Sequence, residues 1–194
     1  MISKLACIVE GHSEVESVPI LVRRVVSIIQ QDRYLEIPSP IRVSRSKLVK
    51  PGEPERTIEF AARKISGAGG ILLVLDSDDD CAATLAPQLL SRAKTARSDL
   101  PISVILAEKE FECWFLAAAM SLRGHRGLPL DLTPPSHPES IRGAKEWLKS
   151  RIAGGSYSPV IDQPSLTAKM DIDAAKNTNS FGKFFREIEK LLSS

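Results

Sequence analysis

The chain has 194 residues, 43% hydrophobic and 26% charged, a composition that suits one soluble globular domain with a sizeable core. A net charge of only +2 does not mark a polyanion binder, and no apolar stretch approaches the ~20 residues a membrane helix requires. Cys7, Cys81 and Cys113 lie far apart without Cys-x-x-Cys spacing, which excludes a disulfide frame or a cysteine zinc site and reads as thiols in a reducing cytoplasm.

Leu5–Val9 is a short apolar run ending in Glu10–Gly11–His12–Ser13–Glu14, and Lys4 before it does not resemble the start of a signal peptide. Val15 to Ile29 follows as an apolar helical stretch with Arg23 and Arg24 on another face. After Pro38 and Pro40, Ile41–Arg45 alternates as a half-buried strand does. A helix from Pro54 and Glu55 to Ile65 buries Ile58, Ala61, Ala62 and Ile65, and Gly67, Gly69 and Gly70 are read as its stop. Ile71–Leu75 is an uninterrupted aliphatic run, the pattern of a central parallel strand, and it ends in Asp76–Ser77–Asp78–Asp79–Asp80. A helix over Ala82–Ala96 that tolerates Pro87, a strand over Ile102–Ala107 and a helix over Phe111–Met120 complete this half. Residues 123–137 read as a loop, followed by helices over Glu139–Ile152, Leu166–Ala175 and Phe181–Leu192, with 154–159 as a further loop. The expected fold is α/β, a Rossmann-like, mostly parallel sheet flanked by helices over residues 1–122, with a loop and helical C-terminal region, 123–194, packed on it.

Three strand ends therefore carry acids: Glu10 and Glu14; Asp76, Asp78 and Asp80; and Glu112. They converge if the strands are neighbours in a parallel sheet, and hard oxygen ligands without paired histidine or cysteine suit Mg2+ or Mn2+. The competing reading is a solvated acidic turn capping the next helix, with Glu112 a capping or salt-bridged acid. Arg42, Arg45, Lys47 and Lys50, with Lys109 and Lys169 as weaker additions, form a candidate phosphate-contacting strip for DNA or RNA, weighed evenly against a solvated strand edge. Ser13 and Ser77 lack a visible His/Asp partner and read as turn or capping serines; Trp114 and Phe115 read as core.

Glu10–Gly11 after a first strand and Asp76-x-Asp78 with Asp80 after a later one resemble the Toprim domain. Ile8–Glu14, Leu75–Asp78, Phe111–Ala117 and Ser180–Phe184 resemble a bacterial family of Toprim-like proteins related to the OLD nucleases, over most of the chain. The resemblance implies Glu10 as general acid/base or metal ligand, Asp76 and Asp78 as metal ligands, and Glu14, Asp80 and Glu112 as supporting acids. It further implies a metal-dependent nuclease using one or two Mg2+ or Mn2+ ions, a component of a phage-defence or mobile-element system that works with a separate ATPase. Departures are the missing glycine after Asp-x-Asp and the absence of a Walker loop; Tyr34 and Tyr157 are expected in contexts unrelated to the site. The alternatives are a non-catalytic metal- or nucleic-acid-binding regulatory module and a haloacid-dehalogenase-like phosphatase, the latter against the Asp at position 80 and leaving Glu10–Gly11 unexplained.

Overall fold

The computed structural model describes all residues, Met1–Ser194. Strands β1 (Lys4–Val9), β2 (Ile41–Arg42), β3 (Gly69–Asp76) and β4 (Ile102–Ala107) form one all-parallel sheet in the order β2-β1-β3-β4. The helices are α1 (His12–Ile29), α2 (Arg45–Leu48), α3 (Glu53–Lys64), α4 (Ala82–Ala96), α5 (Cys113–Ala117), α6 (Ala144–Lys149), α7 (Pro159–Thr167), α8 (Ile172–Lys176) and α9 (Asn179–Ser193). No helix is long and apolar enough to cross a membrane.

The aliphatic runs become β1, β3 and β4 because alternate residues meet two apolar layers. Leu5, Cys7, Val9, Leu72, Val74, Ile105 and Ala107 face a core shared with α1, α5 and α9. Ala6, Ile8, Ile71, Leu73, Leu75, Val104 and Leu106 face a second core, built with α3 and α4. Helix α9 closes the first core through Phe181, Phe184, Ile188, Leu191 and Leu192, spaced so that one helical stripe is buried. Trp114 fills its centre against Phe181 and Phe184, and its indole N–H donates to Ser180 Oγ at 2.8 Å. Trp114 and Phe115 are thus core residues, as expected. With both faces covered, only the strand ends meet solvent.

Several boundaries differ from the sequence reading, each for a local reason. The expected strand over Ile41–Arg45 is two residues long, because Ser44 turns the chain into the single-turn helix α2. Gly69 and Gly70 open β3 instead of ending a helix. A Cβ on Gly69 would lie 2.7 Å from Ile65 Cβ, so the strand approaches the end of α3 only without a side chain. Gly69→Ala is accordingly expected to cost about 1 kcal/mol in chemical denaturation, with an unchanged m-value. The Phe111–Met120 helix splits into α5 and a 3-10 turn at Ala119–Leu122. The helix expected over Glu139–Ile152 starts only at Ala144, after Gly143 at φ 75°. The helix expected over Leu166–Ala175 is instead the end of α7, which begins at Pro159 where a loop was expected, and the separate α8.

Candidate functional site

β1 and β3 are neighbours, but the chain leaves them for opposite sides: β1 leads to outer β2 through α1, and β3 leads to β4 through α4 on the other face. Their carboxyl ends therefore flank a topological switch point, the crevice where open α/β sheets bind ligands.

Glu10 follows β1, Glu14 lies in the first turn of α1, Asp76 ends β3, and Glu112 stands at the head of α5 beyond β4. Glu14 and Glu112 are buried. Asp76 Oδ1 accepts from Phe111 N–H at 2.8 Å, which fixes the carboxylate against the β4–α5 turn. Glu112 Oε1 accepts from Tyr157 O–H at 3.0 Å and Gln163 Nε2 at 3.1 Å, and the same amide donates to Glu14 Oε1 at 3.2 Å. Glu112 caps no helix N–H. Its second oxygen faces Lys145 Nζ at 3.4 Å, and that ammonium also lies 3.6 Å from Glu110 and 3.8 Å from Asp76. A Cβ on Gly11 would run into the Glu14 carboxylate, so a glycine at this turn lets the acid fold back beneath it.

Asp78, Asp79 and Asp80 do not join this buried group. They are exposed; Arg45 pairs with Asp78 at 3.1 Å and with Asp80, and Arg142 pairs with Asp79. Asp78 takes φ 48°, a left-handed conformation that Asp tolerates better than most residues. The turn is locked to the next strand end: Asp78 N–H donates to Lys109 O at 3.0 Å, and Lys109 N–H to Ser77 Oγ at 2.8 Å. Ser77 is thus a turn serine, as read from the sequence. Arg45, Asp78, Asp80, Lys109, Glu110 and Arg142 line a cleft of about 460 Å³ over the buried acids.

The basic strip is broken up. Arg45 is committed to the aspartates, its N–H donating to Glu10 Oε1 at 3.3 Å, and Lys47 lies 3.5 Å from Glu53. Arg42, Lys50 and Lys169 remain exposed, and Lys109 enters the cleft. Tyr157, expected in an unrelated context, sits in the site, and burial pushes its hydroxyl well above its usual value. Lys145, Gln163 and Tyr157 were missed in the sequence reading. Their approach is a tertiary event, and no motif marks them.

Burial is the main cause of the raised carboxyls. It lifts Glu10, helped by the Asp78 and Glu14 charges, and lifts Asp76 well above its ordinary value, helped by Glu112. Glu112 is raised by burial against the lowering effect of Lys145. Burial alone would lower Lys145, but the charges of Glu112, Asp76 and Glu110 outweigh it and hold the ammonium protonated.

The donor set suits a hard divalent cation. Glu10 Oε2 and Glu14 Oε2 are buried without any hydrogen-bond donor, and Glu112 Oε2 has only its charge contact with Lys145. Buried carboxylate oxygens normally find a partner. No three His, Cys, Asp or Glu side chains are grouped closely enough to hold an ion by themselves. Mg2+ commonly binds through one or two carboxylates and completes its shell with water and substrate oxygens.

The architecture and this crevice define an all-parallel α/β protein with an acidic site at its switch point. A family described as a domain of unknown function, DUF4276, matches residues 9–189, and the chain belongs to it. No curated protein and no solved structure matches the chain.

Proposed function

We propose that the chain is a Mg2+- or Mn2+-dependent phosphodiester hydrolase acting on nucleic acid. The observation that carries this reading is the convergence of Glu10, Glu14, Asp76 and Glu112 at the switch point, with Glu10 Oε2 and Glu14 Oε2 left unpartnered. Glu10 or Asp76, each beside Glu14, would supply the one or two carboxylates of the ion's shell, and Asp78 would reach it when released from Arg45. When bound, such an ion activates water and neutralises the phosphodiester oxygens. Glu10, its carboxyl raised by burial, is suited to take a proton from the attacking water. Lys145 supplies a fixed positive charge beside these acids for the negative charge that develops on the phosphoryl group. Arg45 and Lys109 line the cleft above and orient flanking phosphates. The Toprim and OLD-nuclease resemblance supports the same chemistry, with the separate ATPase and a cytoplasmic setting as parts of the proposal.

The test is hydrolysis of single- and double-stranded DNA, RNA and a phosphomonoester with Mg2+ or Mn2+, comparing wild type with Asp76→Ala/Asp78→Ala. Metal-dependent polynucleotide cleavage lost in the variant is expected; monoester turnover alone would favour a phosphatase. A second reading, a non-catalytic binding module, draws on Arg45 and Lys145, which already neutralise much of the acidic charge. It gains if a divalent ion binds and no ester is cleaved.

Binding itself has a thermal signature. At ten times Kd, Mn2+ is expected to add about 1.4 kcal/mol of stability, a rise in Tm of roughly 4 °C. The rise should fade as pH drops from 7 towards 5, because protons compete for Glu10, Asp76 and Glu112, whose carboxyls titrate above their usual range. Differential scanning fluorimetry at the two pH values reads both effects.

A further inference from the structure

Beside the acidic cleft lies a larger one of about 780 Å³, in which the lining has no hydrophobic residue and no aromatic ring other than an imidazole. Lys109, Ser136, His137, Ser140, Asn177 and Asn179 line it, contributed by the β4–α5 turn, the loop before α6 and the α8–α9 junction. The side chains of Ser136, His137, Asn177 and Asn179 make no hydrogen bond within the chain, which leaves amide, imidazole and hydroxyl groups free to donate and accept. The nearby start of α9 offers no anion site. Glu139 already accepts from Asn179 N–H at 2.9 Å and Ser180 N–H at 2.8 Å, and also from the Ser180 hydroxyl.

These features select the ligand. Lys109 is the one lysine or arginine in the lining, against Glu108 and Glu139, so a bare phosphate is poorly matched. Amides paired with free hydroxyls suit the hydrogen-bonding edge of a nucleobase and its sugar. Lys109 also lines the acidic cleft, so the two cavities adjoin at that residue. Its backbone takes φ 63° and is tied by hydrogen bonds to Ser77 and Asp78.

We infer that this polar cleft is a nucleoside subsite that receives one splayed nucleotide of a single strand while the adjoining phosphodiester lies over the acidic cleft. The inference rests on the phosphodiesterase reading for the second half of that statement and on the polar cavity for the first. A duplex keeps its bases stacked and paired, whereas single strands present free base edges to a pocket of this size.

The probe is a fluorescein-labelled single-stranded oligonucleotide of mixed sequence, titrated by anisotropy with Ca2+ so that binding is read without turnover. Asn177→Ala/Asn179→Ala is expected to weaken binding roughly 10-fold, since base-edge pairs carry that order of discrimination. Ser136→Trp, which fills the cleft from its loop, should do the same. An abasic strand should bind wild type and both variants alike, and the matching duplex should bind wild type more weakly than the single strand. Melting curves like wild type establish that the variants fold. Unchanged binding in both folded variants, or a duplex bound as tightly as the single strand, overturns the subsite. Hydrolysis of bis(p-nitrophenyl) phosphate by wild type with Mn2+ probes the acidic centre separately, because that ester carries no nucleoside. Oligonucleotide held through the cleft without ester hydrolysis keeps the subsite and removes the phosphodiesterase reading; hydrolysis with unchanged variant binding does the reverse.

Discussion

Asp76→Asn is expected to lower metal-dependent phosphodiester hydrolysis by about 10³-fold, because removing a metal-holding charge forfeits several kcal/mol of transition-state stabilisation. The substitution is chosen for what it preserves. Asn keeps the shape and the acceptor for Phe111 N–H, so the link between β3 and the β4–α5 turn survives. The lost charge is one that the fold tolerates poorly. Burial, reinforced by Glu112, raises the Asp76 carboxyl well above its ordinary value, which means that ionising it destabilises the folded state at neutral pH. The variant should therefore melt at or above the wild-type temperature in the absence of metal while losing activity and Mn2+-induced stabilisation together. Turnover within tenfold of wild type in a normally folded protein would remove Asp76 from the proposed mechanism.

Lys145→Ala is expected to destabilise the protein by about 2 kcal/mol at pH 7, below the roughly 3–5 kcal/mol of a fully buried broken pair because the side chain is 36% exposed. The loss arises because ionising Asp76 and Glu112 then has no ammonium beside them to offset it. Its pH dependence has a definite sign. Asp76 and Glu112 have folded-state pKa values raised above their unfolded ones, so their ionisation penalty is present above the folded pKa and disappears below the unfolded one. Removing Lys145 raises both further, so the gap between variant and wild type should be widest near neutrality and narrow as the pH falls towards the ordinary carboxylate range. Urea denaturation across that interval measures it. A gap that widened on acidification would show that Lys145 does not face ionised acids.

The sheet was legible because Leu5–Val9, Ile71–Leu75 and Ile102–Ala107 are unbroken aliphatic runs, and strands buried on both faces have no other sequence form. Acids directly beyond such runs were legible for the same reason, since the strand end fixes their place. Depth was not. Asp76 and Asp78 are two residues apart, yet one is anchored over the core and the other turns outward at φ 48° to meet Arg45. Nor does periodicity show that Tyr157, in a stretch read as a loop, and Gln163, beyond it, close over Glu112 from 45 and 51 positions away. The partners of Arg45 were not legible either, because its sequence neighbours are basic, whereas its spatial neighbours are aspartates.

The register that sets Lys4 beside Gly69 and Val9 beside Val74 also governs how the chain reaches this structure. β1 cannot find its long partner until β3 has been synthesised, and closing so large an interval precedes any reward from the pairing, which makes assembly slow for a chain of this size. Meanwhile its other edge gains only the two residues of β2 and the bridge from Lys4 to Glu36. The nascent β1 is thus an apolar strand with open backbone groups on both sides, and refolding yield should fall with protein concentration more steeply than the stability of the finished sheet suggests.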